Sequence, residues 1–249
     1  MSRMIACVGM LLLAGQAFAA PPKSTEPLGS GGRIPVLIVA GSDAFHDWRR
    51  TTPQLRNLLE EIGRFDVRVV EDAEGLGSSA ITDRYRTIIL NGQSSRSTPA
   101  LRRNLARYVR RGGGLVAIHW AVDNFSDWNG FTDILGRSWE EGRSTEEHGA
   151  FRIAPTTESQ GALGILPAWT TPSGEAIHYR LRGKAPVRVF ATTQTGAGGT
   201  GIPVAFGHDV GRGRTFFTPL GHSFPSRSDP SFQTLIIRAV EWTASTRNR

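Results

Sequence analysis

The sequence predicts an α/β protein in which a mostly parallel β-sheet is covered by helices on both faces. Short apolar segments alternate along the chain with amphipathic segments of helical period, a pattern typical of βαβ units joined by right-handed crossovers. Several apolar segments lack the polar–apolar alternation of a half-exposed strand, which indicates strands buried on both sides. A chain of 249 residues can bury a substantial core within one such domain.

The N-terminal segment differs from the rest in composition. Arg3 precedes an apolar run at residues 4–14, and Ala17-Phe18-Ala19 fits the small-residue pattern of a signal-peptide cleavage site. The run is too short for a stable membrane-spanning helix, so no stable membrane anchor is expected; an uncleaved anchor is the alternative. We predict a signal peptide at residues 1–19, a flexible linker rich in Pro, Gly and Ser at 20–33, one domain at 34–246, and export to the periplasm or the cell exterior.

The cysteine content limits the possible chemistry. Cys7, the single cysteine of the chain, lies inside the predicted signal peptide, so the processed protein would contain none. This excludes disulfide bonds, zinc–thiolate sites and a cysteine nucleophile.

The chain is basic, with a formal net charge of +7 that arginine carries almost entirely. Five arginines fall within residues 102–111, where Leu101, Leu105 and Tyr108 recur at helical spacing. This pattern places the arginines on the solvent face of a helix. No nucleic-acid-binding motif accompanies them, and we expect no nucleic-acid partner.

In the first half of the domain, each apolar segment is followed by turn or helix signals. Thr51-Thr52-Pro53 supplies a hydroxyl N-cap and a first-turn proline, which predicts a helix that ends at Gly63. Pro99 opens a second helix, which ends at the glycine run 112–114. The strands expected in this half are residues 35–40, 67–70, 87–90 and 115–118.

After the fourth strand, a polar segment at residues 123–148 interrupts the alternation, with only a short helix predicted near 131–135. A polar insertion at the carboxyl end of a parallel strand is a common position for a functional site. Further elements are expected after it: strands at 151–154, 187–190, 204–206 and 214–218, a turn at 209–213 and a final helix from Pro230.

Three histidines follow strands that are distant in sequence: His46 after the first, His119 after the fourth and His222 after the last. Because the carboxyl ends of parallel strands lie at one edge of a sheet, we expect these candidate catalytic side chains to meet. Three imidazoles suit a divalent metal such as zinc, and an imidazole can also transfer a proton to or from a substrate. No HxxxH or HExxH motif decides between these roles.

Acidic and aromatic residues accompany these histidines and are candidates for substrate binding. Aromatic faces beside carboxylates suit sugar rings, which offer apolar C–H faces and hydroxyl edges. Packing in a loop-rich insertion is the competing role for the tryptophans. The candidates are Asp43, Trp48, Trp120, Asp123, Trp139 and His148.

Four segments, in this order and spacing, together resemble the ThuA-like (trehalose utilisation) family. The resemblance covers residues 34–244, nearly the whole predicted domain. The segments are the strand 36–41 with His46 and Thr51-Thr52-Pro53, GGGLVAIH at 112–119, WTTP at 169–172 before His178-Tyr179, and GRGRTFFTPLGH at 211–222.

The resemblance implies a flavodoxin-like fold related to the class I glutamine amidotransferases. Those relatives have a cysteine nucleophile at a strand–helix elbow, where His119 stands here, so amidotransferase activity is not expected. His46, His119 and His222 match recurrent histidines of the family. His178 lies where members have a Tyr-His pair, which implies substrate binding. The segment 174–177, Gly-Glu-Ala-Ile, departs from the Asp-Glu-Leu-Tyr common in members.

The family is associated with carbohydrate metabolism, in particular with disaccharides and their 3-keto derivatives, so a carbohydrate or oxidised sugar is the expected ligand. Three functions stay open at this point. The first is a sugar isomerase, lyase or hydrolase that acts on keto-glycosides through the histidine pocket. The second is a non-catalytic carbohydrate-binding module, and the third is a metal-binding or scaffold protein without turnover.

Overall fold

Strands and helices alternate along the part of the chain that the structure describes. The structure is a computed structural model and describes residues 32–41, 46–94, 96–196 and 199–245. The predicted signal peptide, most of the predicted linker and Asp43 lie outside the described residues. From Arg33 onward, the described residues belong to one compact unit.

The strands are numbered in chain order. They are β1 (Ile34–Val39), β2 (Phe65–Val70), β3 (Thr87–Leu90), β4 (Gly114–Ile118), β5 (Thr145–Gly149), β6 (Arg152–Pro155), β7 (Trp169–Thr170), β8 (Glu175–Tyr179), β9 (Arg188–Thr195), β10 (Gly199–Val210) and β11 (Gly213–Thr218).

The helices are α1 (Trp48–Glu61), α2 (Ser79–Thr82), α3 (Pro99–Arg110), α4 (Asn129–Leu135), α5 (Thr157–Ala162), α6 (Phe224–Ser228) and α7 (Pro230–Ala244). Short 3₁₀ segments lie at Glu74–Gly77 and His119–Asp123.

The central sheet has the strand order β2-β1-β3-β4-β11-β10-β9-β6-β7. The first five strands in this order pair in parallel, and the remaining pairs are antiparallel. The predicted α/β class with a mostly parallel central sheet is confirmed. Because β1, β4 and β11 run in parallel, their carboxyl ends lie at one edge of the sheet.

Alternate side chains of the strands pack into two apolar layers. Val36 and Ile38 of β1 belong to the layer that contains residues of α1 and α7, whereas Leu37 and Val39 belong to the layer under α3 and α4. Strands β1, β3, β4 and β11 are therefore covered on both faces, which explains their largely apolar sequences. Edge strand β2 alternates instead, with Asp66 and Arg68 exposed.

Helix α1 begins one turn earlier than predicted, at Trp48 instead of Thr51. The carbonyl of Asp47 accepts hydrogen bonds from the backbone N–H groups of Arg50 and Thr51, so the first turn forms upstream of the threonines. The Thr52 hydroxyl does not cap the helix but accepts a hydrogen bond from the buried Asn91 side chain. Its polar group therefore joins the helix to the end of strand β3.

The other predicted helix boundaries agree with the structure. The Thr98 side chain caps α3 by accepting from the Leu101 N–H, and Pro99 occupies the first position of the helix. The Asp229 carboxylate caps α7 by accepting from the N–H groups of Ser231 and Phe232. These caps satisfy N–H groups that have no partner inside a helix.

The polar segment at 123–148 contains more structure than predicted. It forms α4 at the expected position, but it also forms β5, which pairs with β8 in a two-stranded antiparallel ribbon outside the central sheet. The prediction of only a short helix is therefore wrong. Strand β5 has the sequence TEEHG, whose polar residues give no apolar alternation, and its partner lies about 30 residues away in sequence, so local pattern does not predict it.

Among the described residues, the helices are all too short or too polar to cross a bilayer.

Candidate functional site

His119 stands directly after strand β4, at the carboxyl edge of the parallel strands. The chain turns there into the 3₁₀ segment His119–Asp123, and His119 itself has a φ of 53°. Residues other than glycine seldom adopt this left-handed conformation, which therefore indicates local strain at a possible site. The sharp turn leaves the His119 side chain buried among other imidazoles.

His46 and His222 bring two further imidazoles to His119. His46 precedes helix α1, and His222 follows strand β11 after a short turn. Nε2 of His119 lies 3.1 Å from Nε2 of His46 and 3.0 Å from Nδ1 of His222. The ligand atoms of the three residues all lie within 4.8 Å of one another. The three histidines that the sequence predicts at one sheet edge thus form a cluster, called here the histidine cluster.

A backbone carbonyl determines the tautomer of His119. Its Nδ1 lies 2.7 Å from the carbonyl oxygen of Pro219, which can only accept, so Nδ1 carries the hydrogen and donates it. Nε2 of the neutral ring then presents a lone pair to His46 and His222. Burial lowers the pKa of His119 well below its usual range, and the neighbouring imidazoles, His178 foremost, lower it further. The ring is therefore neutral at pH 7.

The three nitrogens suit a divalent metal that prefers nitrogen ligands. Zinc lies about 2.0–2.1 Å from a histidine nitrogen, which places two tetrahedral ligands about 3.3 Å apart. The separations of 3.0 and 3.1 Å around His119 are close to this value. The Pro219 carbonyl also provides the outer hydrogen bond that commonly orients a metal-bound histidine. Three ligands with an open fourth position are typical of catalytic zinc sites.

His178, on strand β8, is stacked between two rings at this edge. Its ring centroid lies 4.4 Å from that of His119 and 4.5 Å from that of Trp120. Burial, followed by the nearby His46 and His222, lowers the pKa of His178 to about 3. Neither ring nitrogen has a hydrogen-bond partner of ordinary geometry in the described part of the chain. His178 is therefore a neutral imidazole whose hydrogen-bonding capacity is largely unused.

Two tryptophans continue this stack toward the surface. The ring centroid of Trp139 lies 5.1 Å from that of Trp120 and 5.5 Å from that of His178, edge to face in both cases. Both tryptophans are half-buried, and the Trp139 indole N–H donates to the Glu141 carboxylate at 3.1 Å. Trp120, Trp139 and His178 thus form an aromatic wall beside the histidine cluster, with a carboxylate at its outer end.

Strand β5 contributes a carboxylate–imidazole pair. Nε2 of His148 lies 3.0 Å from one carboxylate oxygen of Glu146, and the His148 ring centroid lies 5.3 Å from that of His222. The other Glu146 oxygen lies 3.9 Å from Nε2 of His178, its partner residue across the ribbon. The side chain of His148 is 63% exposed and that of His178 is 0% exposed. Glu146 therefore stands between a solvent-facing and a buried imidazole.

Glu175 is a site residue that the sequence interpretation missed. Its buried carboxylate accepts hydrogen bonds from the backbone N–H groups of Gly221 at 3.0 Å, His222 at 2.9 Å and Ala176 at 3.0 Å. Burial raises the pKa of Glu175, and these N–H donors oppose the shift. Glu175 therefore holds the turn that carries His222. A single acidic residue at the start of the otherwise apolar segment EAIHY was the available signal.

Among the other predicted residues, Asp123 and Trp48 form contacts with groups outside the histidine cluster. Asp123 accepts a hydrogen bond from Gln93 at 2.6 Å, and burial raises the pKa of its carboxyl group. Asp123 and Trp139 line a cavity of about 10 Å³, which has room for about one water molecule. Trp48 packs under the guanidinium of Arg49 at 4.4 Å. Asp43 lies outside the described residues.

The family model described as trehalose utilisation, ThuA, matches residues 35–243. Among curated proteins, no sequence matches the chain significantly.

Solved structures with the same fold include two described as putative ThuA-like proteins. The one from Parabacteroides merdae is 24% identical, with 87% of this chain and 92% of that chain covered and a TM-score of 0.74. The one from Bacteroides uniformis is 18% identical, with 88% and 94% covered and a TM-score of 0.68. A cytoplasmic protein from Salmonella typhimurium is 13% identical, with 86% and 100% covered and a TM-score of 0.59. These likenesses establish the flavodoxin-like fold.

The substitution Glu175→Gln tests whether this carboxylate positions His222. The introduced amide group would keep one acceptor oxygen and turn an NH₂ group toward a backbone N–H. We expect a loss of about 1–3 kcal/mol in the free energy of unfolding, because buried N–H groups lose their acceptor. We also expect zinc or cobalt affinity to fall about 10–100-fold, the usual effect of losing an outer partner of a metal ligand. Denaturant unfolding and metal titration measure the two effects.

The matched control is Glu74→Gln, since Glu74 is exposed and far in sequence from the cluster. It should leave the unfolding free energy within about 0.5 kcal/mol of the wild-type value. Equal metal affinity in Glu175→Gln and the wild type would show that Glu175 does not position His222.

Proposed function

Since the chain belongs to the ThuA, or trehalose utilisation, family, we propose that it is an exported enzyme that acts on a sugar or 3-keto-sugar at the histidine cluster. The observation that supports this proposal best is the meeting of His46, His119 and His222 with ligand atoms within 4.8 Å of one another. The fixed tautomer of His119 adds support, because a lone pair aimed at two other imidazoles is an arrangement suited to metal binding.

Glutamine amidotransferase chemistry is not part of the proposal. That chemistry needs a cysteine nucleophile after a buried strand, and His119 occupies the position after β4. The single cysteine, Cys7, is far from it in sequence and falls in the predicted signal peptide. An imidazole whose Nδ1–H is held by a backbone carbonyl serves as a ligand or an electrostatic group instead.

In the proposed mechanism, His46, His119 and His222 would hold a divalent cation, and other residues would move protons. The cation would supply Lewis-acid polarisation of a substrate carbonyl or hydroxyl oxygen. His119 is a poor general base, because its environment strongly favours the neutral ring and its Nε2 faces His46 and His222. This assigns ligand binding, and not proton transfer, to His119.

His148 with Glu146 is the proposed acid–base pair. The His148 ring is exposed, lies beside the cluster and is hydrogen-bonded to a carboxylate, which orients the imidazole. A hydrogen alpha to the ketone of a 3-keto-sugar is acidic enough for such a base. The proton would pass to His148 and the C–H electrons to the enolate. Return of this proton to the former carbonyl carbon, with transfer of the neighbouring hydroxyl proton to the former ketone oxygen, gives the isomeric ketone. Alternatively, the enolate electrons expel a β-oxygen substituent, which leaves with the proton from His148, and this gives elimination.

The aromatic wall suits the proposed substrate. Trp120 and Trp139 offer apolar faces for sugar C–H groups, and Glu141 lies at the end of the wall within reach of hydroxyl groups. A sugar-binding module would need this wall as well. It would have no need for a buried histidine cluster with a fixed tautomer, which is why the enzyme is preferred.

Export remains part of the proposal on sequence grounds. The supporting features are the positively charged start, the apolar run at 4–14 and the pattern Ala17-Phe18-Ala19. The Salmonella typhimurium neighbour described as cytoplasmic shares the fold at 13% identity, which carries no information on the location of this chain.

Metal titration tests the histidine cluster. The wild-type chain, stripped with chelator, should bind one equivalent of zinc or cobalt. His119→Ala should weaken metal binding more than about 100-fold, because a metal ligand is lost. Loss of a hydrogen-bond partner of a ligand alone already lowers metal affinity about 10–100-fold. His222→Ala provides a second test without the strained backbone of residue 119, and His148→Ala is the control that keeps all three ligands. Failure of every tested metal to bind the wild type would refute the metal role.

Hydrogen exchange tests the proposed catalysis. Disaccharides and 3-keto-sugars are incubated with the protein in deuterated solvent, with and without chelator, and exchange at the carbon beside the ketone is followed by NMR. His148→Ala should lower the rate about 10²–10⁴-fold, the usual contribution of a general base, while metal content stays unchanged. His119→Ala should abolish exchange together with metal binding. Saturable sugar binding without exchange, unchanged by either substitution, would favour the binding module.

Mass spectrometry of the protein recovered from fractionated cells tests export. We expect a chain that begins at Ala20, in the periplasm or the medium, because small residues at positions 17 and 19 fit a cleavage site. Ala19→Arg should block this processing and serves as the control. A chain that retains residues 1–19 in the cytoplasmic fraction would contradict export.

A further inference from the structure

Arginine precedes every strand in the parallel part of the central sheet. Arg33 stands directly before β1, Arg64 before β2, Arg86 before β3 and Arg212 before β11. Strand β4 is preceded by Arg110 and Arg111, with two glycines between them and the strand. These arginines lie at the amino edge of the sheet, which is the edge opposite the histidine cluster.

The strand registers place four of these positions in a row. Val36 pairs with Thr87, Thr87 with Gly114 and Gly114 with Arg214, so β3 and β4 begin level, β11 begins one residue earlier and β1 two residues earlier. Neighbouring strands are about 4.8 Å apart, and the row across these four strands is therefore about 15 Å long. Arg84, next to Arg86 in sequence, adds a further exposed guanidinium.

Most arginines of this edge are exposed and form no ion pair with a carboxylate among the described residues. The carboxylates near it pair directly with other arginines: Glu241 with Arg64 at 2.5 Å, and Asp83 with Arg107 at 2.6 Å. Asp83 also attracts Arg111 electrostatically, without a direct ion pair. Some arginines on other surfaces form ion pairs, as Arg56 does with Glu60 and Arg188 with Glu158, whereas those unpaired within the described part of the chain, such as Arg96 and Arg152, are scattered and not in a row. The exposed set, called here the arginine edge, comprises Arg33, Arg84, Arg86, Arg110, Arg111 and Arg212.

Stabilisation of helix ends does not account for this concentration of charge. Helix α3 ends at this edge, and Arg110 in its last turn complements the negative end of the helix dipole. Arg212, however, lies in the turn between β10 and β11 and follows no helix. Its charge has no such internal role.

We propose that the arginine edge docks reversibly on an anionic lipid surface. A guanidinium group binds phosphate oxygens through two parallel hydrogen bonds, and a bilayer presents many phosphates in one plane to a row of such groups. Clustered basic residues are attracted to anionic lipid in this way. Docking at the amino edge leaves the opposite edge, which carries the histidine cluster, facing away from the lipid. The inference does not depend on the proposed enzymatic function.

A lipid surface fits this edge better than a nucleic acid. Proteins that bind single strands stack bases on exposed aromatic rings between basic residues. The aromatic residues next to the arginine edge are Tyr85 and Tyr108. Tyr108 is only 4% exposed, with its hydroxyl group donating to backbone carbonyls, and Tyr85 is half-buried. Neither ring is exposed enough to stack with a nucleic-acid base.

Vesicle cosedimentation of the full chain tests the proposal. Vesicles of phosphatidylcholine, with or without phosphatidylglycerol, are mixed with protein at low and at high salt. The wild type should bind only the anionic vesicles and be released by salt, because surface attraction is screened over about 8 Å at physiological ionic strength. The variant Arg86→Gln/Arg111→Gln/Arg212→Gln should bind on the order of 100-fold more weakly, about fivefold for each arginine near the surface.

The control variant is Arg96→Gln/Arg103→Gln/Arg152→Gln, which removes the same charge from exposed positions outside the arginine edge. Its affinity for anionic vesicles should fall by less than about tenfold, because only the long-range electrostatic attraction is reduced. Circular dichroism checks that both variants are folded. Equal losses in the two variants, salt-resistant binding to neutral vesicles, or displacement by millimolar inorganic phosphate would each overturn the proposal. Binding of duplex DNA without binding of anionic vesicles would identify a nucleic acid as the partner instead.

Discussion

The site depends on one hydrogen bond, from Nδ1–H of His119 to the carbonyl of Pro219. Ile118 and Thr218 are paired residues at the ends of the parallel strands β4 and β11, so the next residue on each strand, 119 and 219, meets its counterpart across the sheet edge. The register of β4 and β11 thereby determines the tautomer of His119. A slip of one residue would exchange the faces of every side chain on the strand, and the apolar layers on both sides prevent it.

Burial of several neutral imidazoles at one edge needs compensating contacts, since polar groups lose hydration there. The contacts come mainly from the backbone. Pro219 accepts from His119, and Glu175 gathers the N–H groups of the turn that carries His222. The pKa values of His119 and His178 are lowered by burial, so the positive charge that would separate the rings at neutral pH is absent. Neutral rings can approach within 3.1 Å of one another.

Sequence reasoning predicts the central sheet and the edge of the cluster well, because both follow from apolar segments and from the rule that parallel strands end together. His46, His119 and His222 were found in this way. The features that the sequence does not predict depend on pairing between segments that are distant in the chain. The pairing of Glu146 with His178 joins segments about 30 residues apart, and the polar sequence of β5 gives no strand signal. Glu175 was missed because its partners are backbone groups of a distant turn, which no side-chain motif reveals. The start of α1 was misplaced since Asp47 uses its carbonyl, not its side chain, to begin the helix.

The ribbon formed by β5 and β8 lies outside the central sheet, yet it carries Glu146, His148, Glu175 and His178. The pocket is therefore built by two separate parts of the fold, the central sheet and the ribbon. The sheet determines where the three clustered imidazoles meet, and the ribbon determines the ionisable groups around them. Substitutions or length changes in the ribbon can consequently alter which molecule is accepted while leaving the strand register intact. Related proteins can therefore differ in ligand preference through changes in β5 and β8, while the central sheet and its register stay the same.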